Sequence, residues 1–151
     1  MTIRLFKDDL IRGSIDEELL KRAIDAQLTL GGLESFEEQI RIMESLKEKH
    51  LEKQLIDVLE RPEKHLKDNN RLLDWYLKGR TRKMFNYASR QMKGNTKVLI
   101  DNRNKIMASR IVKIINTQDK NFFSFGAGHL NGPHGIIKLL RKEGIIVTKE
   151  F

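Results

Sequence analysis

Apolar side chains recur every three or four positions through most of this chain, the repeat of helices that bury one face. Leu19, Leu20, Ala23 and Ile24 mark a first helix over 16–26, with acidic residues in its opening turn. Ser35 and Glu38 have the spacing of a capping box, ahead of Phe36, Ile40, Met43 and Leu46. Leu51, Leu55, Val58 and Leu59 extend helix to Pro62, and Asn69-Asn70 opens another helical stretch that breaks at Gly79. Met84, Phe85 and Ala88 place a helix over 82–92, and Leu99, Ile100, Ile106, Met107, Ile111, Ile114 and Ile115 describe a long amphipathic one over 97–116. Three short apolar runs, 27–33, 121–125 and 145–148, read as strands, the last two separated by a helix over 134–142. Strand, crossover helix and strand in that order favour a right-handed parallel pair. The expected fold is therefore α/β, mostly helical with a small, partly parallel sheet. Residues 1–151 read as a single domain, without internal repeat or low-complexity linker.

Composition narrows the function classes. The chain has 151 residues, 39% hydrophobic and 33% charged, enough to bury a core. With no cysteine there is no disulfide, thiolate metal site or cysteine nucleophile. No run approaches the roughly 20 apolar residues that span a bilayer, and the start lacks a signal peptide's apolar segment, so the default expectation is cytoplasmic. Twenty-nine Lys and Arg against 21 Asp and Glu give a net charge of +8. The basic residues are dispersed, however. Their densest cluster, Lys78, Arg80, Arg82, Lys83 and Arg90 beside Phe85 and Tyr87, reads as a solvated helix face before it reads as a nucleic-acid site.

The candidate chemistry lies in the last third. An apolar run ends in Gly126-Ala127-Gly128-His129, and a new helix begins beyond it. Glycine at 126, 128 and 132 lets backbone approach a ligand or adopt positive φ. Pro133 suits the first turn of the following helix and Gly144 its C-terminal cap. His129 has the chemistry of a metal ligand or proton-transfer group, against the plainer role of fastening its loop by hydrogen bonds. Glu34 follows two glycines, as a site carboxylate or as the acidic start of a helix. Arg103, next to Asn104 on the long helix, can fork onto a carboxylate, a substrate's or Glu34's own. His134 ranks below His129, as a surface cap.

These segments resemble one family. Arg103-Asn104, a helix, Gly126-Ala127-Gly128-His129-Leu130 with Gly132, then Gly135-Ile136 with Leu139-Leu140 and Gly144 with Val147 look like the C-terminal signature of the TraB/GumN family, which includes the Tiki metalloproteases. Ser14 to Ala23, Gly32-Leu33-Glu34-Ser35 with Gln39, and Trp75 with Gly79 resemble further family segments. Family members carry an earlier Gly-x-x-His motif, and here His50, His65 and His134 have no glycine three residues before them. The chain thus resembles the C-terminal half of such a domain.

The resemblance implies hydrolysis of a peptide bond by metal-activated water, with His129 as a ligand, Glu34 as ligand or base and Arg103 beside them. Gly126, Gly128 and Asn104 would shape the loop. The metal would be a divalent ion, Mn or Zn, needing ligands that this chain does not have. A hydrolytic site normally takes three protein ligands and an open position, so the isolated chain is expected to be inactive or weak. Expected partners are a peptide or protein substrate and either a second copy or a missing N-terminal half. The rival readings are a non-enzymatic peptide-binding or regulatory protein of the same fold, and a nucleic-acid-binding module using the basic surface. Glu34, Arg103 and His129 are expected in one cleft at the strand ends.

Overall fold

The computed structural model describes residues 14–46, 48–92, 94–118 and 120–150. Met1–Gly32 and Leu33–Phe151 form separate compact units. In the first, helix α1 spans Ile15–Asp25, with Ser14 and Glu17 exchanging the hydrogen bonds of a capping box. It ends in a Schellman motif: Leu28 N–H donates to the Ala23 carbonyl, Gln27 N–H to that of Ile24, and Gln27 takes a φ of 53°.

The second unit is built from α2 (Phe36–Glu44), α3 (Glu48–Glu60), α4 (Pro62–Leu77), α5 (Thr81–Gln91), α6 (Asn102–Ile115) and α7 (Ile136–Lys142). Pro62 does not end a helical region but starts α4 at its first position, where the missing N–H and fixed φ cost nothing. Trp75 of α4 meets Tyr87 of α5 edge to face at 6.0 Å, and the Arg71 guanidinium lies 5.9 Å from the Tyr87 ring centre. The core of this unit is Met107 and Ile111 of α6 with Ile136 of α7, against which Leu33, Ile115, Phe123, Phe125 and Leu140 pack.

The expected α/β fold is not what forms. Among the described residues there is no strand and no sheet; the fold is all-α. The reason differs slightly at each of the three predicted strands. At 27–33, the left-handed Gln27 closes α1 and the following residues join no ladder. At 121–125, burial does alternate, with Phe123 and Phe125 turned inward and Phe122 and Ser124 outward, but the inward side chains lie on helices α6 and α7. At 145–148, backbone groups serve the helix before them: Ile145 N–H donates to the Leu140 carbonyl, and Arg141 Nη2 donates to the Val147 carbonyl at 2.7 Å. Period-two burial reports an extended segment on an apolar surface. It becomes a strand only with a neighbour to bond.

Candidate functional site

A five-residue π-helical turn, Lys97–Asp101, leads directly into α6. Such a turn holds one more residue than an α-turn and shifts the faces that follow. Ile100 and Asn104 come to lie buried, and Arg103 is carried to the side of α6 where Glu34 sits. Glu34 precedes α2, whose N-terminus is fixed by Ser35 and Glu38: Glu38 N–H donates to Ser35 Oγ at 3.2 Å and Ser35 N–H to Glu38 Oε2 at 2.7 Å. Arg110 of α6 then clamps that turn, with Nη1 donating to the Leu33 carbonyl and to Glu38 Oε2, and Nη2 to Glu38 Oε1, all at 2.7 Å. The capping box and the arginine together hold the backbone around Glu34 against α6.

Arg103 holds Glu34 through both prongs of its guanidinium. Nε donates to Oε1 at 2.8 Å and Nη2 to Oε2 at 2.6 Å, while Nη1 reaches back to the Leu99 carbonyl at 3.2 Å. The carboxylate is 8% exposed and the guanidinium side chain 24%. These hydrogen bonds keep the Glu34 carboxyl below its ordinary range and raise Arg103 above its own, so the pair is charged at neutral pH. Of the two carboxylates open to Arg103 in the sequence, it takes the chain's own.

His129 closes a single 3₁₀ turn, Ala127–His129. Its Nδ1 lies 2.6 Å from Asn104 Oδ1. Burial, and then the nearby Arg103 charge, push the imidazole below its ordinary value, with Glu34 pulling the other way. The ring is therefore neutral at pH 7. Asn104 is wholly buried, and its Nδ2 donates to the carbonyls of His129 at 3.2 Å and His134 at 2.8 Å. The structure thus brings Glu34, Arg103, Asn104 and His129 to one place, framed by helix starts and a loop where strand ends were expected. His134 joins through its carbonyl. Its Nδ1 comes within 3.4 Å of Asp101 Oδ2 without hydrogen-bond alignment, and both that nitrogen and Asp101 Oδ1 are unpartnered among the described residues.

The glycines divide differently from the sequence reading. At Gly132, with φ of 105°, a Cβ would stand 2.3 Å from Phe85 Cζ, and at Gly135 it would stand 2.5 Å from the Leu130 carbonyl oxygen. Those two are demanded by packing. Gly126 has only His129 Cδ2 at 3.8 Å, and Gly128 has nothing within 4 Å. The helix after the loop starts at Ile136 with Gly135 as its cap, so Pro133 lies before it, whereas Gly144 has the left-handed φ of 81° expected past a helix end. Two features escaped the sequence reading altogether, the π-turn and the Arg110 clamp. Asn104 was visible but undervalued: a polar residue four after Ile100 and three before Met107 stands on the apolar stripe of its helix, where only a fully bonded side chain is tolerated.

A hydrolytic metal site does not assemble from these groups alone. Among the described residues no three His, Cys, Asp or Glu side chains converge, and both oxygens of Glu34 already accept from Arg103. A separate hollow of about 680 Å³ along α4, lined by Arg61, Lys64, Lys67 and Arg71 with Glu63 and Asp68, includes none of the four residues. No helix among the described residues is long and apolar enough to cross a membrane.

The fold and cluster together define an all-α unit, among the described residues, that carries an ionised carboxylate–guanidinium pair beside a neutral imidazole. The chain belongs to the TraB/PrgY/gumN family, whose model matches residues 3–149. Over 48 residues it is 46% identical to a protein named "Metalloprotease TIKI homolog" from Nematostella vectensis, a match covering 30% of this chain and 10% of that one. It is 44% identical over 48 residues to "Metalloprotease TIKI2" from Danio rerio, covering 30% of this chain and 9% of the relative. The match thus spans about a tenth of the length of these curated relatives. No solved structure matches the chain.

Proposed function

We propose that this chain supplies the Glu34, Arg103 and His129 portion of a peptide-hydrolysing site, and that by itself it cleaves peptides weakly or not at all. Peptide hydrolysis adds water to a carbonyl, and the proton removed from that water must reach the departing amine. The group here able to take up that proton is the neutral imidazole of His129, beside the ionised Glu34 carboxylate. Arg103 keeps the carboxylate ionised and in place. The observation that supports this reading is the convergence of Glu34 with Arg103, 69 residues apart in sequence, and of His129 with Asn104, 25 residues apart, in a chain whose family includes named metalloproteases. Among the described residues no group makes up the metal site that those names imply, which is why low activity is expected of the chain alone.

The reading is tested by adding Mn²⁺ to ¹⁵N-labelled chain and mapping which signals broaden, alongside a fluorogenic peptide library with and without Mn²⁺ or Zn²⁺. Broadening centred on His129 and Glu34, lost in His129→Ala, is the expected result, together with cleavage no faster than that of the variant. Broadening elsewhere, or none, overturns the assignment of the site. Metal-dependent cleavage abolished by His129→Ala overturns the expected inactivity.

A further inference from the structure

We infer that Asn104 is a positioning residue that fixes His129 as the Nδ1–H tautomer and so leaves its Nε2 as an electron-pair donor. The assignment follows from donor and acceptor chemistry. The Asn104 side chain faces two backbone carbonyls, those of His129 and His134, at 3.2 and 2.8 Å. A carbonyl oxygen only accepts, so the atom facing both must be the amide nitrogen, which has two hydrogens to give. The amide cannot be turned over without setting its oxygen against both carbonyls. Its oxygen is thereby directed at His129 Nδ1, 2.6 Å away, and an amide oxygen also only accepts. Nδ1 must bear the hydrogen. A neutral imidazole has only one, so Nε2 has none.

The surroundings of the ring agree with that end being for use. Nε2 has no hydrogen-bond partner among the described residues. Gly126 does not crowd the Cδ2 edge, since even an added Cβ there would be at 3.8 Å. One buried amide therefore ties both ends of the 129–134 loop and decides which ring nitrogen keeps its electron pair. The group that such a nitrogen takes is electron-poor: a proton being removed from water or a divalent cation. His129 does not present an N–H there for donation to substrate. Histidine ligands in general have their second ring nitrogen held as a donor in this way.

The consequence for chemistry rests on the proposed function, but the tautomer does not, and the two are tested separately. Long-range ¹H–¹⁵N correlation on the labelled full chain, metal-free and above the His129 titration, distinguishes a bare from a protonated ring nitrogen by a large ¹⁵N shift, with His129→Gln identifying the signal. A protonated Nδ1 and bare Nε2 are expected in the wild type; a protonated Nε2 overturns the proposal. Asn104→Ala is expected to lose the Nδ1–H pattern. An unchanged pattern in Asn104→Ala also overturns the proposal. Should that variant fail to fold, the wild-type spectrum still decides. If the tautomer holds while Mn²⁺ leaves His129 undisturbed, the proposed function fails and the positioning role stands.

Discussion

At the scale of single residues, the energetics of the cluster turn on charges held out of water by few partners. Removing Arg103 leaves the Glu34 carboxylate, 8% exposed, without its donors. Arg103→Ala is therefore expected to destabilise the fold by about 1.5–3 kcal/mol, the usual worth of hydrogen bonds to a charged group, read by chemical denaturation at pH 7. An unchanged midpoint would place the pair outside the cooperative fold. Glu38 gives the pH dependence. Hydrogen bonds from Arg110, then from Ser35 N–H, bring its carboxyl from 4.5 to about 2. A folded value below the unfolded one means that the folded state binds the proton less readily, so the stabilisation is complete above about pH 4.5 and is lost as pH falls toward about 2. Melting temperature should fall across that window in the wild type and fall less in Arg110→Leu; parallel curves would refute the assignment. Glu34 and Arg103 were legible as a pair because a carboxylate before a helix and an arginine on one invite a forked bond. Glu38 was legible only as a cap, since a local motif does not show a guanidinium arriving from 72 residues away.

At the scale of elements, the helices were readable, and the three predicted strands are absent among the described residues. A helix makes its hydrogen bonds within itself, so spacing and caps such as Ser35 and Glu38 suffice to predict it. A strand makes them with a distant segment, and Phe123 and Phe125 show how an extended stretch satisfies its apolar side by lying on helices. The loop before α7 offers the sharpest test at this scale. Gly132→Ala forces a Cβ into the Phe85 ring at a backbone angle that alanine resists, and is expected to cost about 1–3 kcal/mol. Gly128→Ala meets nothing within 4 Å and should change stability by less than about 1 kcal/mol. If calorimetry finds the two equally damaging, the packing described for the loop is wrong. If only the first is damaging, Gly128 is free to serve whatever approaches His129.

At the scale of the whole molecule, the unit Leu33–Phe151 leaves entire apolar stripes in water. Phe36, Ile40 and Met43 follow helical spacing along α2 and are 72, 37 and 66% exposed; Leu51, Leu55 and Leu59 repeat every four residues along α3 at 45, 61 and 58%. Sequence periodicity marks such positions as buried, because it shows that a face is apolar without showing what covers it. An uncovered face of this kind favours association, at roughly 25 cal/mol for each Å² of apolar area removed from water. A second copy is among the expected partners, and these helix faces are the apolar surface it would cover. The free chain is accordingly expected to show a mass above that of the monomer by light scattering, rising with concentration. Leu55→Glu should reduce that mass while leaving the helical circular dichroism intact, since a side chain 61% exposed contributes little to the fold of one copy. A monodisperse monomer at high concentration would refute the association. Association unchanged by Leu55→Glu would move the contact away from α3, and a variant that unfolds would show that the stripe is already covered within the chain.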